Sequence, residues 1–209
     1  MYNVLIVEDQ EMPRQLFEIF VKSSENYQLA GSVSDAASAA YFCKNNKVDL
    51  VLMDVITNGG NNGLNAAEEI KKTMPEIKVI IVTSMPEYSW IKRAKEIGVD
   101  SFWYKESSGE PIIALMDRTM AGENIYPDST PEVTIGLSTN HDFTSREMEI
   151  LRELTTGDSN AEIAERLNLS AKTVKNHVQN LLEKTGFHTR AELAVEAART
   201  GIVIKNTEK

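Results

Sequence analysis

Leu50-Val51-Leu52-Met53-Asp54 decides the reading of this chain: four consecutive apolar residues closed by an acid. A run so short and so uniformly apolar suits a strand buried on both faces of a parallel sheet. Val4–Val7, Leu29–Val33, Val79–Val82 and Ser101–Tyr104 are runs of the same kind. Helical periodicity separates them near residues 12–24, 36–45, 64–73, 87–97 and 110–121. Five strand–helix units in succession predict an α/β doubly wound domain, with a five-stranded parallel sheet, over residues 1–121.

In such a sheet the C-terminal strand ends open onto one crevice, where ligands bind. Glu8 and Asp9 follow the first strand, Asp54 ends the third, Thr83 ends the fourth and Lys105 ends the fifth. Three carboxylates brought together repel and raise one another's pKa. A hard divalent cation relieves this, and Mg²⁺ is the usual choice where carboxylates and phosphate oxygens converge. A phosphoryl group on Asp54 would then meet Mg²⁺, the Thr83 hydroxyl and the Lys105 ammonium, enough to neutralise its oxygens. Taken singly, each of these residues reads as a cap, a turn residue or a solvated charge; the joint pattern carries the argument.

The stretch 122–142 changes character. Gly122, Pro127, Pro131, Gly136 and a Ser/Thr cluster break the periodicity, and it reads as a linker with room for some local structure. Residues 143–209 form a second, all-helical domain. Thr144–Glu147, Ser159–Glu162 and Thr189–Glu192 are N-terminal capping boxes, and Ser170 can cap a further helix. Four helices are predicted near 145–156, 160–167, 171–184 and 190–200. In the third, Val174, Val178, Leu181 and Leu182 recur at core spacing, while Lys172, Lys175, Asn176, Gln179 and Glu183 share the other face. With the preceding helix and the turn Asn168-Leu169-Ser170, this is a helix-turn-helix whose polar face suits a DNA major groove.

Charge is divided unevenly. The 209 residues carry a net charge of −9. Residues 141–209 hold 10 Lys+Arg against 11 Asp+Glu, a net of −1, which leaves 12 against 20, a net of −8, for residues 1–140. The acidity lies in the first domain, where a DNA surface is not expected and a cation or basic partner is. Cys43 is the only cysteine and reads as a small apolar filler, so no disulfide forms within the chain. His141, His177 and His188 show no metal-ligand spacing with it. No apolar run reaches the roughly 18 residues of a membrane span. The opening segment Met1–Val7 reads as a strand rather than a signal peptide. A cytoplasmic location with no membrane association is expected.

The acid pair Glu8-Asp9 with Asp54, Thr83 and Lys105 resembles the receiver domains of response regulators over about residues 1–121. The resemblance implies that Glu8, Asp9 and Asp54 hold Mg²⁺ with help from a backbone carbonyl near Ile56. It further implies that Asp54 accepts phosphate from a sensor histidine kinase, that Thr83 and Lys105 read the phosphorylated state, and that Phe102 stands at the aromatic switch position. A plain core aromatic is the other reading of Phe102. Trp90 and Trp103 are taken as packing or interface residues. Two departures from the receiver pattern stand out. The loop Ile56-Thr57-Asn58-Gly59-Gly60-Asn61-Asn62-Gly63 lacks the usual proline and is one residue longer, and Glu106 replaces the proline common after the lysine.

Phe143-Thr144-Ser145-Arg146-Glu147, Asn160-Ala161-Glu162-Ile163-Ala164 and Ser170-Ala171-Lys172-Thr173-Val174-Lys175-Asn176-His177-Val178 resemble the LuxR-type helix-turn-helix over about residues 141–203. The whole chain is similar to NarL/FixJ-family response regulators. That resemblance implies a DNA-binding transcriptional regulator rather than an enzyme. Lys175, Asn176 and Gln179 would reach bases, and Lys172, Thr173 and Lys184 phosphates. Promoter DNA and a sensor histidine kinase are the implied partners, the latter choosing the helix near 12–24 around Arg14, Gln15 and Glu18. The phosphorylated form would be a homodimer, and RNA polymerase is a further candidate partner. Ala194, Val195, Ala197 and Ala198 on the last helix form either a dimer face or intradomain core. Two rivals remain: a haloacid-dehalogenase-like phosphatase, whose Asp-x-Asp signature is broken here by Ile56, and a regulator whose receiver serves protein contacts without phosphorylation.

Overall fold

The computed structural model describes residues 1–57, 62–105 and 109–203. The chain divides into two compact units, Met1–Ser84 with Ser89–Ser129, and Met85–Tyr88 with Thr130–Lys209.

In the first unit the strands are β1 (Tyr2–Val7), β2 (Tyr27–Val33), β3 (Leu50–Asp54), β4 (Lys78–Thr83) and β5 (Ser101–Tyr104). They form one sheet in the order β2-β1-β3-β4-β5, parallel throughout. The helices are α1 (Glu11–Lys22), α2 (Ala39–Asn45), α3 (Gly63–Thr73), α4 (Tyr88–Glu96) and α5 (Ile112–Met120). β1, β3 and β4 are central, and their apolar runs are buried along their length. β2 differs from the expected two-sided burial: Leu29 to Val33 are only half-buried, and Gly31 and Ser32 interrupt this strand where β1, β3 and β4 carry continuous apolar runs.

Strand periodicity of two splits the core into two layers. Val4, Ile6, Leu50, Leu52, Ile80 and Val82 pack with Phe17 and Val21 of α1 and Ile112, Leu115 and Met116 of α5. Leu5, Val7, Val51, Met53 and Ile81 alternate with them, face the other side and are equally buried. Parallel strands end on the same side, so their C-terminal tips necessarily share one edge of the sheet.

The stretch 122–142, expected as a linker, carries structure in both units. Ile125 bridges Ser101 in parallel, and its carbonyl accepts from the Phe102 amide at 2.8 Å. In the second unit, β6 (Thr134–Ile135) and β7 (Ser138–Thr139) form an antiparallel hairpin, and Ile135 is fully buried in the helical core. Gly136 makes this possible: it turns with φ 60°, and a Cβ there would lie 2.0 Å from the Thr185 carbonyl oxygen. The breakers in this stretch mark turns between short anchored pieces.

The second unit holds α6 (Ser145–Leu154), α7 (Asn160–Arg166), α8 (Ala171–Thr185) and α9 (Arg190–Thr200). All three expected capping boxes form, and Ser170 caps α8 by accepting from the Thr173 amide at 3.0 Å. Met148, Leu151, Ile163, Val174, Leu181 and Leu193 centre the core. Asn168, with φ 53°, turns the chain between α7 and α8; asparagine adopts this left-handed region more readily than most residues. No described helix is long and apolar enough to cross a membrane.

Candidate functional site

The tips of β1, β3 and β5 bring their charged residues into one cluster. Ligand oxygens of Glu8, Asp9 and Asp54 all lie within 4.8 Å of one another. Glu8 is wholly buried and Asp54 is 5% exposed. Lys105 spans the two: its Nζ donates to Glu8 Oε2 at 2.5 Å and to Asp54 Oδ2 at 3.0 Å. Asp54 Oδ1 accepts from the Val55 amide at 2.7 Å, and Glu8 Oε1 from the Gln10 amide at 3.1 Å. Burial raises the Asp54 carboxyl to about 6; Lys105 works against this and Glu8 reinforces it. For Lys105 burial disfavours the charge, yet the Asp54 and Glu8 carboxylates outweigh it and the ammonium is held more firmly than usual.

This donor set is all oxygen, doubly buried and short of positive charge. It fits a hard divalent cation. Ile56, two residues beyond Asp54 in the chain, is bridged in antiparallel sense to Asn62. Thr83 is buried at the tip of β4, and its carbonyl accepts from the Lys105 amide at 2.9 Å. Phe102 lies in the core, 1% exposed, with its ring 5.1 Å from that of Tyr104. Trp103 packs edge-on against Phe17 and donates to the Glu110 carbonyl. Of the unusual loop, Asn58 to Asn61 lie outside the described residues, as does Glu106.

Two contributors to the cluster escaped the sequence reading. Arg14, expected near the kinase-facing part of α1, is half-buried and donates to the carbonyls of Glu8 at 3.1 Å and Asp9 at 3.3 Å. Glu18 is likewise engaged, with Ser32 and Lys22. Gly63 is the second: a Cβ there would sit 1.9 Å from the Asp54 carbonyl oxygen. An acid-ended strand followed by a loop and a glycine at a helix start was the available signal.

On α8, Lys172, Lys175, Asn176, Gln179 and Glu183 are exposed, as is Asn180, which the sequence reading passed over. Thr173 is half-buried and its hydroxyl lies 2.8 Å from that of Ser170. Gln179 donates to Glu183 at 3.0 Å. Lys184 has partners within its own unit. Its ammonium bonds Glu147 Oε2 at 2.8 Å and the Asp142 carbonyl at 2.9 Å, and lies over the Phe143 ring. It thus braces the start of α6 while its side chain stays partly exposed. The stripe on α9 also divides: Ala197 is core, Ala194 packs against it, and Val195 and Ala198 are exposed. Cys43 is buried, which pushes its thiol up to about 11.

Comparison with known proteins agrees with this geometry. Residues 4–117 match the family model described as "Response regulator receiver domain", and residues 141–197 match "Bacterial regulatory proteins, luxR family". The chain is 33% identical to response regulator protein VraR of Staphylococcus epidermidis, over 96% of this chain and 98% of that one. Among solved structures, one of two RcsB dimers bound to two parallel DNAs aligns with a TM-score of 0.62 at 16% identity, covering 94% of this chain and 98% of that one. RcsB from Salmonella enterica serovar Typhimurium, bound to promoter rprA with phosphomimetic BeF3-, aligns at 0.58 and 19%, covering 93% and 96%. At such identities these two likenesses speak for the fold alone. The relative in Staphylococcus and the two family models carry the assignment: the chain belongs to the two-component response regulators, with a receiver domain followed by a LuxR-type DNA-binding domain.

Proposed function

We propose that this response regulator is switched by phosphorylation of Asp54 by a sensor histidine kinase, and that the phosphorylated chain binds promoter DNA as a homodimer. The observation that carries this reading is the gathering of Glu8, Asp9 and Asp54 within 4.8 Å, with Lys105 reaching Asp54 at 3.0 Å. Glu8, Asp9, Asp54 and the Ile56 carbonyl would hold Mg²⁺, which supplies positive charge to the phosphoryl oxygens. An Asp54 carboxylate oxygen attacks the phosphorus of a phosphohistidine; the P–N bond breaks and the imidazole leaves. Lys105 and the Thr83 hydroxyl then bind oxygens of the new aspartyl phosphate. A switch role for Phe102 requires that its ring leave the buried position seen here.

The kinase would dock on α1, which exposes Gln15 with Met12, Leu16 and Ile19. These residues line a groove of about 450 Å³ that also includes Lys105. On DNA, Lys175, Asn176 and Gln179 would reach bases, while Lys172, Thr173 and Lys184 contact phosphate. The exposed Val195 and Ala198 of α9 are the candidates for a contact between copies.

The test is phosphotransfer from acetyl phosphate followed by DNA capture, with wild type and Asp54→Ala side by side. Phosphate uptake and enrichment of DNA targets by the wild type alone are expected; normal uptake by Asp54→Ala overturns the assignment. A second expectation separates the roles on α8. Lys172→Ala should weaken binding to every sequence alike and reduce the salt slope by about 1. Asn176→Ala should cost about 1–3 kcal/mol at one base position and leave the slope in place. Titrations at several salt concentrations on matched and mutated sites distinguish them.

A further inference from the structure

Thr57 stands three residues beyond Asp54, belongs to none of the groups assigned above, and is only 3% exposed. Its Oγ1 accepts the Ala36 amide hydrogen at 2.9 Å, across 21 residues of sequence. Ala36 opens the 3-10 turn Ala36–Ser38 that precedes α2. The first amides of a helical turn find no partner within it. Asp35 takes the Ala37 amide at 3.0 Å, and Thr57 takes that of Ala36. Ala36 is itself 1% exposed, so without Thr57 this amide would be buried away from water. The bond therefore ties the segment leaving the acid cluster to the loop after β2.

The peptide between Ile56 and Thr57 is planar and contains the Ile56 carbonyl. Holding the residue on each side of that plane restricts the rotation that turns the oxygen. Ile56 is held by its bridge to Asn62, and the Val55 carbonyl beside it accepts from the Gly63 amide at 2.7 Å. We infer that Thr57 is a positioning residue of the cation site: the hydroxyl clamped on Ala36 aims the Ile56 carbonyl. This rests on the cation-site reading proposed above. The usual proline of this loop would stiffen the chain through its ring; here a side-chain bond to a distant turn does so.

The test titrates Mn²⁺ into the full-length protein and counts free ion by electron paramagnetic resonance. Thr57→Val removes the hydroxyl at nearly constant shape and should weaken binding about tenfold, the lower range for a group that orients a metal ligand. Thr57→Ser should return to within about twofold of wild type. Thr57→Ala removes the hydroxyl with a smaller side chain and should weaken binding as Thr57→Val does. Should Thr57→Val fail to fold, Thr57→Ala decides. Wild-type affinity in either variant, or a Thr57→Ser as weak as Thr57→Val, overturns the inference while leaving the site reading intact. A wild type that binds no Mn²⁺ sensitive to Asp9→Asn overturns the site reading and this inference with it.

Discussion

Asp54→Asn should take up no phosphoryl group from acetyl phosphate and, in metal-free buffer above pH 6, should be more stable than the wild type. The first effect follows from loss of the nucleophilic oxygen. The second follows from burial. The Asp54 carboxyl is raised to about 6 in the fold, chiefly by desolvation, from an ordinary aspartate value of 3.8. Between those values the folded chain holds a proton that the unfolded chain has lost. Stability then falls as pH rises through this window and stays low above it. The span corresponds to about 3 kcal/mol. Asparagine imitates the neutral acid, so Asp54→Asn should lack this slope. Chemical unfolding of the receiver at pH 4 to 8 measures it; equal slopes in both proteins would refute the burial argument. Mg²⁺ should restore stability to the wild type by binding its folded form, and do much less for Asp54→Asn.

Gly63→Ala should cost about 3 kcal/mol or more and impair phosphorylation together with stability. The added Cβ would lie 1.9 Å from the Asp54 carbonyl oxygen and 2.9 Å from its carbon. These are backbone atoms at the end of a central strand, with no flexible side chain to swing aside, so the strand tip or the start of α3 must move. The Gly63 amide also donates to the Val55 carbonyl at 2.7 Å. Gly98→Ala is the fitting control. It has φ 76°, and a Cβ added there would meet nothing within 4 Å, so it should incur only the backbone penalty of about 1 kcal/mol and leave phosphoryl uptake unchanged. Denaturant titration and phosphotransfer on both variants distinguish close approach from dihedral strain. A Gly63→Ala as mild as Gly98→Ala would contradict the tight contact.

The five apolar runs were legible because a strand's burial is written in consecutive residues, and the acid-ended tips because parallel strands end together. The weaker burial of β2 did carry a signal, since Gly31 and Ser32 interrupt Leu29–Val33 where the central runs are continuous, but its place at the edge is decided only by the neighbouring strands. The anchored pieces inside 122–142 could not be located for a related reason: Gly136 and the prolines are loud local signals, while the anchors Ile125 and Ile135 are single residues whose partners lie elsewhere. Lys184 faces solvent by helical spacing, which does not reveal its bond to Glu147, 37 residues away.

Alone, the sequence determined the order of strands and helices, the helix starts at Thr144, Ser159, Ser170 and Thr189, and the meeting of Glu8, Asp9, Asp54 and Lys105, all matters of short-range periodicity, capping and chain direction. Only the tertiary structure decided that Arg14 holds the acid-pair carbonyls, that Gly63 must lie against Asp54, and that Thr57 is tied to Ala36. The Thr57–Ala36 contact spans 21 residues and depends on packing of the sheet and its helices, while that of Arg14, only five to six residues long, depends on a side-chain rotamer that periodicity does not specify.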